Sequence, residues 1–537
     1  MSKATYDSVN KIWHGTKLPP FFNPDQNLGF IILNILKQTP DLVTQISADT
    51  GATVTCQQMY DRSIRIAKYL TKCGMKEGDL IGLVTANSEN LAPIVFACFT
   101  LGLPINPLSP IMNEKDIVQM FTMTKPKMIF CDADNVKVVQ NAVDEMKSEA
   151  KVLTVMDKVD GHDCATEILK EMENENTNFF QFPLIDSNST AAILCSSGST
   201  GFPKGVCKSH RQFIMGFNPS VAHKETSVCF QGSPIFWLSG YSMLLSGTLS
   251  KSIRVVTSKV FTAEDFIDIM NRYKVNVVTV PPYFIVSLLQ VPNIKPMESL
   301  KLFIIGGAII SEQMCLKIKK YLPNAMFLTG YGCTEEDGIA VNFYQNKLSA
   351  TGTVINNVQV RIVDDNGNSL GPNETGEIYV NTPVHFSKYI GDPVKTAEAF
   401  DGDWFKTGDI GYFDDQQFLF VTGRKKELLK YQNYQVTPSE IEELIDAIEG
   451  VHSSCVVGVP EPHSGNDIIY AFVVLEKSKS LTAEFILKFV NAKLMEKKRI
   501  RGGVHIVDEF PIGATGKVNR IKIKEMAQDL YKRQAKN

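Results

Sequence analysis

A short loop rich in serine and glycine, directly after an apolar run, is the feature that most constrains this chain. Residues 191–194 are apolar, and residues 196–205 read Ser-Ser-Gly-Ser-Thr-Gly-Phe-Pro-Lys-Gly. Small residues let the backbone bend sharply and approach a ligand, so that successive N–H groups and hydroxyls can surround phosphate oxygens. Lys204 would offset the phosphate charge. The pattern predicts a buried strand that ends in a phosphate-binding loop.

Two other interpretations of this loop fit less well. The common nucleotide P-loop has Ser or Thr after its lysine, whereas here Gly205 follows Lys204. A flexible Ser/Gly linker is rarely introduced by a buried strand and rarely contains a single Pro-Lys-Gly. We therefore interpret residues 196–205 as a phosphate loop of another kind.

Length and composition indicate a globular protein of at least two domains. The chain has 537 residues, of which 44% are hydrophobic and 21% charged, and it is too long for one ordinary core. Its net charge of −3 gives no general attraction to nucleic acid or anionic lipid, so any phosphate must be bound by local groups. The 11 cysteines form no C-x-x-C pair, which favours free thiols in a reducing compartment, and the 8 histidines lack the spacing of a zinc site.

Alternating helical and strand patterns predict an α/β fold for most of the chain. Helical spacing in 59–70 is followed by the short apolar segments 79–85 and 128–131, and the alternation returns from 253 to 305. Such alternation predicts parallel sheets covered on both faces, here in two α/β subdomains. Past Gly352 the pattern becomes β-rich, which predicts a small barrel or half-barrel.

A small α+β domain is predicted at the end of the chain. The charged connector 423–430 has few apolar residues and is a candidate hinge, although a plain linker also fits. We expect a large domain over 1–422 and a small mobile domain over 431–537. Thr437 and Glu440 predict a helix start with a capping box in the small domain.

Signals for membrane insertion and targeting are weak. The first ten residues lack the apolar core of a signal peptide. The most hydrophobic window, 91–108, is interrupted by glycine, proline and asparagine, so we expect a buried helix passing into a strand instead of a membrane span. The C-terminal Ala-Lys-Asn only half matches the peroxisomal address Ser-Lys-Leu. The expected location is intracellular and soluble, either peroxisomal or cytoplasmic.

Four further clusters carry groups suited to nucleotide chemistry. Residues 329–335 follow a strand pattern and offer an aromatic ring, a hydroxyl and a carboxylate, and a hard carboxylate beside phosphate suits Mg²⁺. Residues 407–409 place an aspartate where it could accept hydrogen bonds from ribose hydroxyls. Small residues at 306–308 leave room for a pocket, and residues 513–517 present a lysine on a Gly-rich loop. Each could also be an ordinary turn, so their value lies in occurring together.

Together these motifs resemble the adenylate-forming superfamily, which includes acyl-CoA synthetases, 4-coumarate–CoA ligases, luciferases and peptide-synthetase adenylation domains. The resemblance runs through 196–205, 331–335, 407–409, 423–430 and 515–517, and the chain looks especially similar to insect luciferases and their acyl-CoA synthetase relatives. It implies an N-terminal AMP-binding domain, a mobile C-terminal domain and a two-step reaction. A carboxylate attacks the α-phosphate of ATP to give an acyl-adenylate and pyrophosphate, and the thiol of CoA then displaces AMP.

The resemblance implies that ATP and CoA are substrates, that Mg²⁺ is a cofactor, and that individual residues have defined roles. The implied ATP- and AMP-binding residues are Ser196, Ser197, Gly198, Ser199, Thr200, Gly201, Lys204, Gly330, Tyr331, Gly332, Thr334, Asp409 and Arg424. Tyr331 would pack on adenine, and Asp409 with Arg424 would fix the ribose. The implied catalytic residues are Lys204, Thr334, Glu335 and Lys517. Glu335 would hold Mg²⁺, and Lys517 would bridge the carboxylate and the α-phosphate in the transition state.

Further residues are assigned by the resemblance to the acyl pocket and the second half-reaction. The implied acyl-pocket residues are Ser239, Tyr241, Gly306, Gly307 and Ala308. Lys426 is the hinge candidate, and Lys430 and Gln435 would face the CoA half-reaction after the small domain swings.

Three departures from the superfamily pattern bear on function. Ser239 replaces a histidine usual in the acyl pocket and cannot act as a cation or as a base of similar strength. Asn433 stands where glycine is expected, and asparagine tolerates the left-handed conformation better than other residues. Glu336 and Asp337 follow Glu335 where small or hydroxyl residues are common. Their charge could repel an anionic substrate tail or bind a polar one.

Three functional hypotheses follow from these residues. The first is a Mg·ATP-dependent acyl-CoA ligase for a medium- or long-chain fatty acid or an aromatic carboxylate. The second is a luciferase-type monooxygenase that oxidises its adenylate, and the absent pocket histidine argues against it. The third is a nucleotide-binding protein without turnover, and the retained charged residues of the phosphate site argue against that. The expected partners are small molecules and not nucleic acid, whereas the acid and the oligomeric state are left open.

Overall fold

The computed structural model describes most of the chain in three large sheets and a small C-terminal lobe. The described residues are 4–170, 177, 180–196, 204–217, 227–307, 310, 312–343, 347, 350–432, 434–462, 464, 466–476, 480–512 and 518–534. Among them, no helix combines the length and the apolar character needed to cross a membrane. All 11 cysteines are described and carry free thiols.

The first sheet contains the strand that leads into the predicted phosphate loop. Eight described strands form it, in the order Lys388–Tyr389, Lys204–Ser209, Thr190–Ser196, Ile105–Leu108, Ile81–Val84, Met128–Cys131, Lys151–Thr154 and Asp163–Cys164. The pairings from Thr190–Ser196 to the far edge are parallel, whereas Lys204–Ser209 runs antiparallel on both sides. The predicted strand at 191–194 is confirmed, and the chain returns from the loop as its hairpin partner.

The second sheet supplies the other wall of the large domain. Nine described strands follow the order Thr353–Val354, Asp337–Asn342, Met326–Cys333, Leu302–Gly306, Val277–Val280, Val228–Phe230, Ile253–Val256, Val43–Ser47 and Thr53–Thr55. Its central strands are parallel, as the alternation predicted, and antiparallel strands close both edges.

The third sheet is antiparallel and open. Seven described strands form it, namely Thr5–Asp7, Ile12–His14, Gln359–Val363, Gly376–Asn381, Trp404–Phe413, Phe400–Asp401 and, on Trp404–Phe413, Leu419–Arg424. The β-rich pattern past Gly352 is confirmed. The two N-terminal strands were not predicted, because each is only three residues long and the pairing of Ile12–His14 with Gln359–Val363 is remote in sequence.

The helices cover the sheets and form the core between them. Their bounds are Leu28–Gln38, Cys56–Lys72, Leu91–Leu101, Glu114–Thr124, Val136–Glu145, Ala165–Ile168, His210–Gly216, Leu238–Leu249, Ala263–Arg272, Pro282–Leu289, Glu312–Lys319, Pro393–Glu398, Pro438–Asp446, Ala483–Lys493 and Arg520–Gln534, with short turns at Ala133–Asn135, Lys425–Glu427 and Glu496–Lys498. The largest cluster of buried side chains joins helices of both α/β subdomains.

The hydrophobic window 91–108 is a buried helix and strand, as predicted. Residues 91–100 of the helix Leu91–Leu101 are all buried, which fits a helix that is apolar on every face. The helix ends at Gly102, whose φ of 65° is the left-handed conformation that glycine adopts most easily. The strand Ile105–Leu108 follows in the centre of the first sheet.

The small lobe is an α+β unit, as predicted. It contains the hairpin Leu429–Tyr431 and Tyr434–Val436 and a three-stranded sheet of Val451–Pro460, Asp467–Leu475 and Gly503–Ile506. Its first helix begins after Thr437, but the predicted capping box is wrong. The Thr437 side chain makes no capping hydrogen bond, and Glu440 pairs with Lys498 at 2.7 Å instead.

An ion pair between Glu442 and Arg520 ties together three elements of the small lobe. The Arg520 Nη2 atom donates to both oxygens of Glu442 at 2.7 and 2.8 Å, and its Nη1 atom donates to the carbonyl of Val456 at 2.9 Å. Glu442→Ala would leave the guanidinium with only the more distant carboxylate of Glu427, whose Oε2 atom lies 3.6 Å from Arg520 Nε. Since the pair is partly buried, we expect a loss of about 2 kcal/mol in the free energy of unfolding of this lobe.

Chemical denaturation monitored by far-UV circular dichroism would measure this loss. Glu525→Ala is the matched control, because Glu525 is exposed on the helix Arg520–Gln534. Equal unfolding midpoints for the two variants would contradict the prediction.

Candidate active site

A large cleft opens where the parallel strands of the second sheet end. Its volume is about 2810 Å³, and residues from all three sheets and from the small lobe line it. The strands Leu302–Gly306 and Met326–Cys333 run in parallel register, which places Gly306 beside Gly330 at their carboxyl ends. Ligands of α/β proteins characteristically bind at this edge of a sheet.

Ser196 and Lys204 lie at the mouth of the hairpin that carries the predicted phosphate loop. They are cross-strand partners in the antiparallel pairing of Thr190–Ser196 with Lys204–Ser209, and both line the cleft. The predicted loop residues Ser197, Gly198, Ser199, Thr200 and Gly201 lie outside the described residues. The hairpin therefore delivers one hydroxyl and one ammonium group to the cleft from its described ends.

The ammonium group of Lys204 lies over the ring of Tyr389 and is influenced by the carboxylate of Glu335. Its Nζ atom is 4.3 Å from the ring centroid, an arrangement that favours the cation. Burial lowers the pKa of Lys204, whereas the negative charge of Glu335 opposes this shift. A polyphosphate entering the cleft would supply further negative charge and favour the protonated amine.

Glu335 lies at the turn that joins the strands Met326–Cys333 and Asp337–Asn342. It lines the cleft beside Thr334, and its side chain is largely buried. The hydroxyl of Tyr389 donates to Glu335 Oε1 at 2.8 Å. Burial, together with the nearby charge of Glu335, raises the pKa of Tyr389. Tyr389 thus holds one carboxylate oxygen while its ring supports Lys204.

Tyr331, Asp409 and Arg424 form a second polar group in the cleft. The Tyr331 hydroxyl donates to Asp409 Oδ2 at 2.8 Å, and the Arg424 Nε atom lies 3.2 Å from Asp409 Oδ1. The register of Trp404–Phe413 with Leu419–Arg424 sets Asp409 opposite Arg424. Burial raises the pKa of Asp409, whereas the Arg424 charge and the Tyr331 hydrogen bond counteract the rise.

Two glycines that line the cleft, Gly307 and Gly330, leave open space. A Cβ atom built on Gly307 or Gly330 meets nothing within 4 Å, and Gly307 has a φ of 91° that other residues rarely adopt. Gly332 has a different reason to be glycine, because a Cβ there would lie 2.1 Å from the carbonyl of Asp337. The predicted pocket residue Ala308 lies outside the described residues.

The helix Leu238–Leu249 carries two residues predicted for the acyl pocket, and their side chains have different surroundings. Ser239 lines the cleft, but Tyr241 is fully buried and does not. The Tyr241 ring packs on Phe213 at 4.5 Å and near Phe99 at 6.1 Å, within the core. Tyr241 is therefore a core residue, because two positions along a helix turn a side chain by about 200°.

The expected effect of Glu336 on a substrate tail is corrected, whereas Asp337 does line the cleft. Glu336 is buried away from the cleft, where its Oε2 atom accepts hydrogen bonds from His385 Nδ1 at 2.9 Å and from Thr382 Oγ1 at 2.5 Å. Asp337 lines the cleft, but Lys208 Nζ lies 2.8 Å from its Oδ1 atom. Each carboxylate thus has a charged or hydrogen-bonding partner within the protein.

The residues predicted for the hinge and the second half-reaction lie on the small-lobe side of the cleft. Lys426 lines the cleft in the short turn Lys425–Glu427, and its charge contributes to the lowered pKa of Lys204. Gln435 lines the cleft, and Lys430 is its exposed cross-strand partner. Lys517 lies outside the described residues.

Comparison with protein families decides the identity of the fold. The model for AMP-binding enzymes matches residues 34–390, and the model for the AMP-binding enzyme C-terminal domain matches residues 440–517. This chain is an AMP-binding enzyme of the adenylate-forming superfamily. The second match begins inside the predicted small domain, so the boundary at 431 stays a prediction.

Relatives of this AMP-binding enzyme include both luciferases and CoA ligases. Luciferin 4-monooxygenase of Luciola mingrelica is 30% identical over 91% of this chain and 92% of its own length. 4-Coumarate–CoA ligase 4 of Arabidopsis thaliana is 27% identical over 88% of this chain and 86% of its own. The structure of ATP-bound MatB from Rhodopseudomonas palustris has a TM-score of 0.83 and 25% identity, and the match covers 94% of this chain and all of that one.

Three polar residues near Lys204 and Glu335 were missed by the sequence analysis. Tyr389 contacts both Lys204 and Glu335, and Lys208 and Gln212 hydrogen-bond the backbone at Glu335. A lysine two residues after the apolar Val206, inside a strand pattern next to a phosphate loop, was an available signal for Lys208. Tyr389 lies far along the chain and had no such signal.

Asp409→Asn tests the second polar group. The change removes the charge that faces Arg424 and weakens the acceptors offered to a ribose, so we expect nucleotide affinity to fall about 10- to 100-fold. Isothermal titration calorimetry with ATP measures it. Asp403→Asn is the control, because Asp403 is exposed just before the same strand. Unchanged affinity in Asp409→Asn would show that this carboxylate does not bind nucleotide.

Proposed function

We propose that this AMP-binding enzyme is an ATP-dependent acyl-CoA ligase that activates a medium- or long-chain fatty acid or an aromatic carboxylic acid. The supporting observation is that a single cleft has both charged residues and an apolar wall. The phosphate-site residues Lys204 and Glu335 lie in the same cleft as an apolar wall, which includes Trp237, Met243, Leu245, Val286 and Ile304. A molecule with a carboxylate head and an apolar body fits such a cleft.

The charged residues of the cleft suit adenylate formation. The carboxylate oxygen attacks the α-phosphorus of ATP, a new P–O bond forms, and the bond to pyrophosphate breaks. Lys204 would offset the charge on the β- and γ-phosphates, and Thr334 would contact the α-phosphate. Lys517 would bridge the carboxylate and the α-phosphate, where negative charge accumulates in the transition state.

The residues around Glu335 fit a Mg²⁺ ion that is bound mainly by substrate. Mg²⁺ usually takes one or two protein oxygens and completes its shell with water and phosphate. Glu335 offers such a carboxylate to the cleft, with one oxygen oriented by Tyr389. Within the described part of the chain, no group of three or more His, Cys, Asp or Glu could hold a metal by itself. When bound, Mg²⁺ would neutralise phosphate charge.

In the second step, the thiol of CoA attacks the carbonyl carbon of the acyl-adenylate, a C–S bond forms and AMP leaves. This step requires the small lobe to turn about a hinge, for which Lys426 is the candidate. Lys430 and Gln435 would then face the thioester-forming site. A peroxisomal or cytoplasmic location remains a prediction.

A luciferase-type monooxygenase is the second candidate, favoured by the 30% identity to luciferin 4-monooxygenase. Ser239 lines the cleft where the superfamily usually has a histidine, so the cleft lacks that base. Light emission with luciferin, ATP and O₂ would support this candidate. Darkness with normal thioester formation would exclude it.

The experiment that tests the ligase combines protein, ATP, Mg²⁺ and CoA with a panel of carboxylic acids of different chain lengths. We expect pyrophosphate release that depends on the acid, and acyl-CoA products resolved by mass spectrometry. Lys517→Ala is the control, and it should retain ATP binding while losing pyrophosphate release. ATP binding without acyl-adenylate from any acid would favour the protein without turnover and overturn the proposal.

A further inference from the structure

A buried lysine lies directly behind the proposed phosphate site. Lys208 belongs to the strand Lys204–Ser209, and its side chain is 0% exposed. Its Nζ atom is 2.8 Å from the carbonyl oxygen of Thr334, 2.8 Å from Asp337 Oδ1 and 3.5 Å from the carbonyl oxygen of Glu335. An ammonium group has three N–H donors, and burying it is costly unless these donors are used. The three acceptors account for all of them.

All three acceptors belong to the turn that carries Glu335. The turn is tight, because Asp337 has a φ of 60° and its carbonyl lies where a side chain at Gly332 would be. A non-glycine residue in the left-handed region costs free energy and persists where its surroundings hold it. Lys208 provides such a hold through the Asp337 carboxylate.

A second side chain holds the same turn from the same side. Gln212, in the helix His210–Gly216, donates from Nε2 to the carbonyl oxygen of Glu335 at 2.8 Å. The backbone of Glu335 is therefore anchored by Lys208 and Gln212, and its carboxylate by Tyr389. The two backbone anchors, Lys208 and Gln212, come from the segment that begins at Lys204, so they link the two charged residues of the phosphate site. Tyr389 belongs to the neighbouring strand Lys388–Tyr389.

Lys208 also neutralises a carboxylate on the wall of the cleft. Asp337 lines the cleft with 24% of its side chain exposed. An unpaired Asp337 would place a negative charge where two anionic substrates must enter, and like charges repel strongly in a partly buried site. The ion pair removes that repulsion without placing Lys208 itself in contact with substrate.

We propose that Lys208 is a positioning residue for the nucleotide and metal subsite of this enzyme. It fixes the peptide groups of Thr334 and Glu335 relative to the strand of Lys204, and it cancels the charge of Asp337. The role rests on the proposed use of Glu335 and Lys204 in binding Mg·ATP. If Lys208 were only the partner in a buried ion pair, removing both charges would restore the stability and the Mg·ATP affinity. A positioning residue is expected to affect the affinity even when both charges are absent.

The double variant Lys208→Met/Asp337→Asn separates these two roles. Lys208→Met alone leaves a partly buried carboxylate without its cation, so a lower melting temperature and weak binding are expected. The double variant removes that unpaired charge, and its melting temperature should return toward that of the wild type. In the double variant the carbonyl of Thr334 lacks the Lys208 donor, and the carbonyl of Glu335 keeps only Gln212. We therefore expect the affinity for Mg·ATP to stay about tenfold below wild type, with a higher Mg²⁺ requirement.

Isothermal titration calorimetry of the full chain with ATP at several Mg²⁺ concentrations measures this effect, beside the melting temperature. Lys388→Met is the matched control, because Lys388 is exposed on the adjacent strand and does not line the cleft. A double variant with wild-type affinity and wild-type Mg²⁺ dependence would overturn the proposal. Such a result would reduce Lys208 to a charge partner of Asp337.

Gln212→Met keeps the proposal testable if the Lys208 variants do not fold. Gln212 is uncharged, so its loss leaves no buried ion, and it removes the other donor to the Glu335 carbonyl. We expect a smaller shift of the Mg²⁺ dependence in the same direction, and no shift would contradict the proposal. Wild-type protein that binds Mg·ATP but activates no acid would refute the ligase function alone, because the positioning role is measured by binding.

Discussion

Glu335→Gln is expected to lower the rate of acyl-adenylate formation by about 10²- to 10³-fold, the effect typical of removing one group that stabilises charge in a transition state. The amide keeps the size of the side chain and can still accept a hydrogen bond from Tyr389, whose hydroxyl lies 2.8 Å from Glu335 Oε1. It loses the negative charge that would hold Mg²⁺ and that faces Lys204. The rate should fall further at low Mg²⁺, since the metal would lose its protein oxygen.

Pyrophosphate release at saturating carboxylate, measured over a range of Mg²⁺ concentrations, reports this effect. Glu398→Gln is the control, because Glu398 is an exposed carboxylate at the rim of the same cleft. Glu335→Asp should recover part of the rate by restoring the charge. A glutamine variant within about threefold of wild type at every Mg²⁺ concentration would remove Glu335 from the catalytic site.

Acidification below pH 6.5 is expected to destabilise the large domain through His210. This side chain is 1% exposed, its ring lies 5.9 Å from that of Phe99, and neither ring nitrogen has a hydrogen-bond partner among the described residues. Burial lowers the pKa of His210 to about 4. The folded protein therefore keeps a neutral imidazole while the unfolded chain takes up a proton at its ordinary pKa of about 6.5.

The sign of the effect follows from this difference. Above pH 6.5 the ring is neutral in both states, and the full stability is present. Between about pH 6.5 and 4 the unfolded state binds more protons, so the free energy of unfolding falls as pH falls, by about 3 kcal/mol over the whole interval. Urea unfolding at several pH values between 7 and 4.5 measures this slope.

His210→Phe isolates the contribution of the imidazole from that of the carboxylates. Phenylalanine keeps an aromatic ring in contact with the core and cannot take up a proton. We expect a shallower decline in stability below pH 6.5 than in the wild type. Equal slopes for the two proteins would assign the acid sensitivity to other groups.

Several elements were predictable from local sequence because their signals are local. The strand Thr190–Ser196, the buried helix Leu91–Leu101 and the α+β lobe follow from apolar periodicity, which depends only on neighbours in the chain. The capping box at Thr437 was wrong, because Glu440 found Lys498, 58 residues away, as a partner. The short strands Thr5–Asp7 and Ile12–His14 could not be predicted, since the second of them joins the sheet through a strand that begins at Gln359.

The candidate site shows the same division. Lys204, Glu335 and Asp409 were identified from motifs, and the structure brings all three to one cleft. The motifs do not reveal that Tyr389 joins the first two, or that the Asp409 carboxylate already contacts Tyr331. The Tyr389–Glu335 and Tyr331–Asp409 contacts join segments from different sheets, whereas Tyr389 and Lys204 lie on neighbouring strands that are far apart in sequence. No spacing rule connects either kind of contact.

The sequence alone was enough to identify the main functional motifs and the domain order of this enzyme. These are a serine- and glycine-rich loop, a carboxylate after an aromatic turn, and a small lobe beyond a charged connector. Only the tertiary structure decided how the charges are used. It paired Asp337 with Lys208 and Glu336 with His385, and it turned Tyr241 into the core. The physical reason is that the role of a buried charge depends on which distant group neutralises it, and folding makes that choice.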